Sequence, residues 1–190
     1  MQYAKSPPIA DLLNGNLELI IDEQHLQRVV LDGILKAKTS LDIATADFKA
    51  MLIPTPAGKQ ANSIVKIFRR LVDKGVEIRL LHSGIPSRFV IKELRQEIPK
   101  GLTIRRCPRM HAKSVIIDSR YMYLGSANLT GSGLGAKSKD KRNFESGIWT
   151  PAGELVDPVL DHFNSIWEGR YCKACRRKSL CPVPLEEPNL

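Results

Sequence analysis

A chain of 190 residues, 43% of them hydrophobic, is long enough to bury one core, so we expect a single domain with a short appendage. It contains no run of roughly 20 apolar residues such as a membrane-spanning helix requires, and residues 1–8 lack the apolar run of a secretory signal. These features predict a cytoplasmic protein without membrane insertion. The formal net charge of +9 favours a polyanionic partner, either nucleic acid or an anionic membrane surface.

Strand and helix patterns alternate at the start of the chain. Residues 17–21 predict a short buried strand, and Asp22 offers an N-cap for a helix whose apolar positions recur at helical spacing. Residues 41–44 predict a second strand. The proline- and glycine-containing residues 53–58 predict a loop, and loops that leave strand ends often border functional sites.

The same alternation continues in the middle of the chain. Residues 64–72 carry the apolar stripe of a second helix, which Gly75 closes in the left-handed conformation that glycine adopts at low cost. Residues 76–81 then predict a third strand, and residues 87–98 a further helix. This order is typical of an α/β fold.

In the last part of the chain, strands follow one another without intervening helices. The predicted elements are strands at residues 102–106, 112–117, 121–124 and 144–150 and an amphipathic helix at residues 155–167. We therefore expect a layered α/β domain over residues 1–168, with a mixed sheet flanked by helices. Residues 169–190 form a basic, cysteine-rich tail of different character.

One motif stands out because its fixed positions carry chemically reactive or polar side chains. Residues 111–128 read HAKSVIIDSRYMYLGSAN and fit the pattern His-x-Lys-x4-Asp-x6-Gly-Ser-x-Asn at all six fixed positions. A chance match in a chain of this length is on the order of 10⁻⁶ to 10⁻⁵. The motif occurs once, and the sequence shows no internal repeat.

The spacing of the motif suits the chemistry of phosphodiesters. On an extended strand His111 and Lys113 share one face, where an imidazole and an ammonium supply a nucleophile and a charge clamp for the phosphate oxygens. Ser126 and Asn128 follow a turn and can add neutral donors to the same oxygens. Asp118 comes at the far end of the strand and, by geometry alone, need not touch the substrate.

The pattern is similar to the HKD signature of the phospholipase D superfamily, and the likeness spans residues 17–167, including Asn143, Phe144 and Glu145. The resemblance implies a phospholipase D-like fold and a two-step reaction in which one histidine attacks phosphorus and a second protonates the leaving oxygen. It also implies that the acid at Asp118 is mainly structural. Because the chain carries one motif, we expect a homodimer whose motifs face each other about a two-fold axis.

Three further expectations concern the catalytic residues. Glu145 is our candidate for the carboxylate that orients His111. No catalytic metal is needed if Lys113 and Asn128 supply the charge stabilisation. Isolated histidines are usually structural, and we apply that interpretation to His25 and His82, although His82 is the first alternative proton donor. An inactive member that only binds nucleic acid remains an alternative.

Basic residues flank the motif and could line a groove that follows a phosphate backbone. They are Arg105, Arg106, Arg109, Lys137, Lys139, Lys141 and Arg142. The alternative is a solvated basic surface. We expect a nuclease of low sequence specificity that favours single strands, with DNA or RNA left open. A lipid phosphodiesterase or phosphatidyltransferase is the first alternative, although the loops here are rich in lysine rather than aromatic residues.

Three of the four cysteines cluster in the tail, where residues 171–182 read YCKACRRKSLCP. A Cys-x2-Cys pair is a recurrent metal clamp, so Cys172, Cys175 and Cys181 predict a structural metal centre. We expect Cys107 as the fourth ligand, with His162 as a substitute. The spacing is similar to the C-terminal cysteine staple of RecB-type exonucleases, which implies a 4Fe–4S cluster; zinc and free or disulfide-bonded thiols are the alternatives.

Overall fold

The computed structural model describes residues 17–54, 61–96 and 98–187, and its centre is a mixed seven-stranded sheet. The strands are β1 Glu18–Ile21, β2 Ser40–Thr45, β3 Leu52–Ile53, β4 Asn62–Ser63, β5 Glu77–His82, β6 Leu102–Arg106, β7 Ser114–Ile117, β8 Tyr121–Gly125 and β9 Ser146–Thr150. The helices are α1 Leu26–Leu31, which is π-helical, α2 Ile64–Asp73, α3 Arg88–Gln96 and α4 Gly153–Trp167. No helix in these described stretches is long and apolar enough to cross a membrane.

The sheet has a parallel half and an antiparallel half, in the order β1-β9-β8-β7-β2-β5-β6. Strands β2, β5 and β6 are parallel, and α2 and α3 form the crossovers that parallel neighbours need. Strands β7, β8, β9 and β1 are antiparallel to their neighbours. The predicted α/β fold with a mixed sheet is confirmed.

Alternation along β7 places side chains in layers on both faces of the sheet. Val115 and Ile117 belong to the main core, together with residues of α1, α2 and α3. Ile116 faces the other way and packs with Met122 and Val156 under α4. A strand that is buried on both faces is held in register along its whole length. The motif residues at the ends of β7 are therefore fixed to a rigid strand.

Two local predictions differ from the structure. Asp22 does not cap the first helix: its φ is +47°, and its carboxylate accepts the backbone N–H of Glu145, because the chain turns sharply between β1 and α1. The predicted strand at residues 112–117 begins only at Ser114, so His111 and Lys113 lie in the segment that enters it. Gly75 has φ +92° and ends α2 as predicted. Most of the predicted loop at residues 53–58 lies outside the described residues.

Candidate active site

His111 and Lys113 lie together at the open end of the sheet. The Lys113 ammonium donates to the backbone carbonyl of His111 at 2.8 Å, and its Nζ is 3.2 Å from the Nδ1 atom of the His111 ring. His111 is exposed. An imidazole and an ammonium thus lie side by side, although both residues precede the strand on which the spacing had placed them.

Asn128 reaches the same end of the sheet from the loop after β8. Its Oδ1 atom accepts the backbone N–H groups of Ala46 at 3.0 Å and Asp47 at 3.1 Å, and the Thr45 hydroxyl lies 3.3 Å away. The loop after β2 therefore fixes the amide by its oxygen. The Nδ2 group points away from those partners and remains the donor that an anionic ligand can use.

Glu145 organises the donors of the site within one chain. It is buried, accepts the hydroxyl of Ser126 and also accepts the side-chain amide of Asn143 at 3.0 Å. Ser126 in turn accepts the backbone N–H of Ser146 at 3.1 Å. Within the described chain, no hydrogen bond joins Glu145 to His111, so its orienting role toward that ring stays a prediction.

The floor of the site is a buried aromatic layer. Tyr123 is fully buried, its hydroxyl accepts the backbone N–H of Ala127 at 2.9 Å, and burial strongly raises its pKa. Gly125 is required there, since a Cβ atom would come within 2.5 Å of that hydroxyl. His25 packs edge-on against the Tyr123 ring at 5.3 Å, and burial lowers the pKa of His25. A rigid floor holds the donors above it in place.

Asp118 lies at the opposite end of β7, about 16 Å from Lys113 for five extended residues. Its Oδ1 accepts the backbone N–H groups of Lys38, Thr39 and Ser40 at 2.7–3.1 Å. Partial burial acts to raise the pKa of the Asp118 carboxyl, but these hydrogen bonds outweigh it and hold the pKa below its usual range. The acid of the motif thus closes the turn before β2.

The basic residues fall into two groups. Arg105 donates to the backbone carbonyl of Trp167 at 2.8 Å, and Arg106 donates to that of Ser83 at 3.1 Å. These two arginines thus attach the end of α4 and the loop after β5 to strand β6. The other group lies on loops that flank the motif in sequence, where Arg142 is half-buried and donates to the backbone of its own loop at 2.7 Å. This group comprises Arg109, Lys137, Lys139, Lys141 and Arg142.

The structure brings the four cysteines to one place. Cys107, Cys172, Cys175 and Cys181 line a cavity of about 290 Å³ between the end of β6 and the tail, and all four are free thiols. His162 lies on α4 and lines an adjoining cavity, which His111 also borders. Within the described chain, no group of three or more His, Cys, Asp or Glu side chains is arranged to hold a single metal ion.

His82, for which the sequence predicts a structural role, lies in the interior. His82 is 1% exposed, and its Nδ1 atom lies 2.7 Å from the carbonyl oxygen of Gly84. Burial lowers the pKa of His82, and the charge of Arg106 acts in the same direction. A ring enclosed in this way does not reach a substrate at the surface.

Sequence reasoning missed the residues that support the motif from elsewhere in the chain. Thr45, Ala46 and Asp47 hold Asn128 from 81 to 83 positions away. No pattern in the sequence marks them, because two of the three donors to Asn128 are backbone N–H groups, which do not depend on the side chain. Tyr123 had one available signal: it lies inside the motif, two positions before the fixed Gly125.

An open-ended mixed sheet that carries one His–Lys motif at the end of β7 defines a phosphodiesterase-type domain. Residues 30–167 match the family described as cardiolipin synthase, PLD-like domain. This match covers most of the chain. The chain belongs to the phospholipase D superfamily, whose chemistry acts on phosphodiester bonds.

Solved structures show the same fold. NucT from Helicobacter pylori is similar with a TM-score of 0.60 and 16% identity, covering 80% of this chain and 95% of that one. Nuc from Salmonella typhimurium, a phospholipase D family member, has a TM-score of 0.56 and 19% identity over 80% and 93%. The phosphatidylserine synthase of Haemophilus influenzae Rd KW20 has a TM-score of 0.51 and 17% identity over 80% and 38%. No curated protein matches the chain in sequence.

Proposed function

We propose that the chain is a nuclease that cleaves DNA or RNA, with single strands favoured, through a phosphohistidine intermediate in a homodimeric active site. The observation that carries this proposal is the contact between Lys113 and His111 at the solvent-exposed end of the sheet, beside an Asn128 amide that is held by its oxygen. Together they offer one nucleophile and two kinds of donor to a phosphate.

The reaction needs two histidines. A His111 ring nitrogen attacks phosphorus, and the bond from phosphorus to the leaving oxygen breaks as the histidine of a second copy gives that oxygen a proton. Water then attacks the phosphohistidine and gives its proton to the second histidine, which releases the phosphate product and restores both rings. Lys113 and Asn128 stabilise the charge on the phosphate oxygens, so the scheme requires no catalytic metal.

Exposed apolar side chains near the site support a dimer. Phe144, which directly precedes Glu145, is 96% exposed. Ile21 pairs with Ser146 across the sheet and is 49% exposed, and Leu19 on the same face of β1 is 62% exposed. Exposed apolar side chains on neighbouring segments are characteristic of association sites. A second copy that bound here about a two-fold axis would add the second His111 that the reaction needs.

The position of the exposed lysines supports a nucleic-acid substrate. Lys137, Lys139 and Lys141 lie in the loop that begins after Asn128 and ends at Glu145, so both ends of the loop belong to the site. Three ammonium groups on one such loop can follow the phosphates of a strand that crosses the site. Contacts of this kind read no bases, so low sequence specificity follows.

A lipid substrate is the second candidate, and a specific observation favours it. Ile85 is 77% exposed in the loop after β5, and the exposed Phe144 adds an aromatic side chain that could contact a lipid surface. The sequence had indicated polar loops around the site. The likeness to a phosphatidylserine synthase belongs to the same alternative.

One assay separates these candidates. Purified protein is incubated, without added divalent cations, with single- and double-stranded DNA and RNA and with liposomes of phosphatidylglycerol and phosphatidylcholine. We expect cleavage of nucleic acid, fastest on single strands, and no release of lipid headgroup. Headgroup release without nucleic-acid cleavage would favour the lipid enzyme. Binding of nucleic acid without cleavage, and without a phosphohistidine recovered after rapid quenching at alkaline pH, would favour a silent binding module.

Sedimentation tests the shared site. We expect a dimer at the concentration of the assay. A fully active monomer would contradict the shared site. The proton donor would then have to come from the same chain, where His82 is buried but His162 is exposed and lines a cavity together with His111.

A further inference from the structure

We propose that Cys107, Cys172, Cys175 and Cys181 bind one metal centre through four thiolates, and that this centre fastens the tail beside the active site. The four thiols come from two segments more than 60 positions apart, yet they line one cavity of about 290 Å³. All four are free. Four thiols around one space is the ligand set of structural zinc sites and of iron–sulfur clusters.

The fold holds both thiol segments in place. The backbone N–H of Cys107 donates to the carbonyl of His82 at 2.8 Å, which anchors the segment after β6. At the other end of the tail, the Arg106 N–H donates to the Glu186 carbonyl at 2.9 Å. Leu185 packs onto a small apolar cluster that includes Met110 and Trp167. Both walls of the cavity are thus attached to the domain.

The segment between these anchors has almost no core of its own. Residues 173–174, 176–180 and 182–184 are exposed, and the apolar contact of this segment with the domain is made by Leu185. A segment with so little apolar burial cannot offset the entropy of its ordering without a covalent or metal staple. Four thiols that line one cavity supply the ligands for such a metal staple.

Basic groups surround the cavity. The Arg109 guanidinium lies 3.9 Å from the Cys175 sulfur, and Arg177 and Lys178 also line the cavity. Positive charge close to cysteine sulfurs favours the thiolate form that binds metals.

The ligand set is compatible with two kinds of centre. Four thiolates bind one zinc ion or the corners of one iron–sulfur cluster. In the described chain no three candidate ligands are arranged around a single ion, so either centre requires the thiol side chains to turn into the cavity that they line.

The site also adjoins the candidate active site. Cys107 and Arg109 line both the thiol cavity and the neighbouring cavity that His111 borders. Three residues separate Cys107 from His111, and one of them, Met110, is buried. Loss of the metal should therefore loosen the segment that carries His111 as well as the tail.

Anaerobically purified protein decides the proposal without any variant. We expect about one centre per chain by elemental analysis and thiols that react with a thiol reagent only after the metal is removed. A brown protein with broad absorption near roughly 400 nm identifies an iron–sulfur cluster, whereas a colourless protein with zinc identifies a zinc site. Metal-free protein with four freely reactive thiols, or with a disulfide, would overturn the proposal.

A variant adds the link to stability. Cys175→Ser should lose most of the metal and lower the melting temperature, while Lys173→Ala, an exposed change in the same tail, should alter neither. Full metal content in Cys175→Ser would exclude that thiol as a ligand and overturn the four-thiolate site. Because both readouts are independent of cleavage, a failure here would leave the proposed nuclease function untouched, and the reverse also holds.

Discussion

The two ends of strand β7 carry residues of the same short motif, but they are built differently. At one end His111 is exposed, and the Lys113 ammonium has no hydrogen-bond partner in the described chain other than His111. At the other end Asp118 accepts three backbone N–H groups and a hydroxyl from the turn before β2. The two ends are joined by the same buried strand, β7.

This difference separates chemistry from folding within one motif. Donors and nucleophiles that act on a substrate must be available when the substrate binds, so the fold leaves part of their hydrogen-bonding capacity unused. A carboxylate that joins two segments contributes stability only when its bonds are made within the protein. We therefore expect changes at the His111 end to affect turnover and changes at the Asp118 end to affect the free energy of unfolding.

The largest effect should come from His111→Ala. Removing the proposed nucleophile should slow phosphodiester cleavage by about 10³-fold or more, with the melting temperature nearly unchanged because the ring is exposed. Single-turnover assays and thermal unfolding measure the two quantities. Cleavage close to the wild-type rate would remove His111 from the role of nucleophile.

Lys113→Ala should follow at a loss of about 10²- to 10³-fold in turnover, because one stabilising donor is lost. The affinity for nucleic acid should also fall, since the ammonium contacts phosphate in the bound state as well as in the transition state. Lys74→Ala, an exposed lysine at the end of α2, is the matched control and should change neither value. Unchanged turnover in Lys113→Ala would contradict the charge-clamp role.

Asp118→Ala should act on stability instead, with a loss of about 2–4 kcal/mol in the free energy of unfolding. Asp118→Asn is the control, because it keeps the Oδ1 acceptor and tolerates the φ of +54° at this position. Denaturant titration measures the loss, and cleavage by the folded fraction should stay near the wild-type rate. A loss of turnover in folded Asp118→Asn would break the comparison between the two ends.

The same carboxylate predicts a pH dependence. The pKa of Asp118 is lower in the folded chain than in the unfolded chain, where it is about 4, so its contribution to stability is fully present above pH 4. The contribution is lost as the pH falls through the folded pKa. Unfolding measured between pH 2 and 7 should therefore show a smaller acid-induced loss in Asp118→Asn than in the wild type.

The smallest effect should come from Lys141→Ala. One phosphate contact fewer should weaken nucleic-acid binding a few-fold and lower the salt dependence of the affinity by about one unit of slope, equally for all sequences. Binding titrations at several salt concentrations measure both. An unchanged slope would place Lys141 outside the path of the backbone and restore the interpretation of a merely solvated basic surface.

Most of the fold could be predicted because the apolar residues of strands and helices recur at regular local spacings. The strands at β5 and β6, the helix at α2 and its glycine terminus agree with the structure within a residue or two. The turn between β1 and α1 could not be predicted, because the carboxylate of Asp22 accepts a hydrogen bond from Glu145, which lies 123 positions away. A local capping pattern carries no information about such a partner.

The sequence by itself determined the motif, its superfamily and the strand that follows Lys113, because the six fixed residues and the apolar run at residues 115–117 are local features of the chain. Only the tertiary structure decided which groups support the donors. Pairing of β2 with β7 brings the backbone of Ala46 to Asn128, and the return of the tail to Arg106 brings Cys172 toward Cys107. Such contacts depend on sheet order and chain reversal, which act over distances in sequence at which no periodic pattern persists.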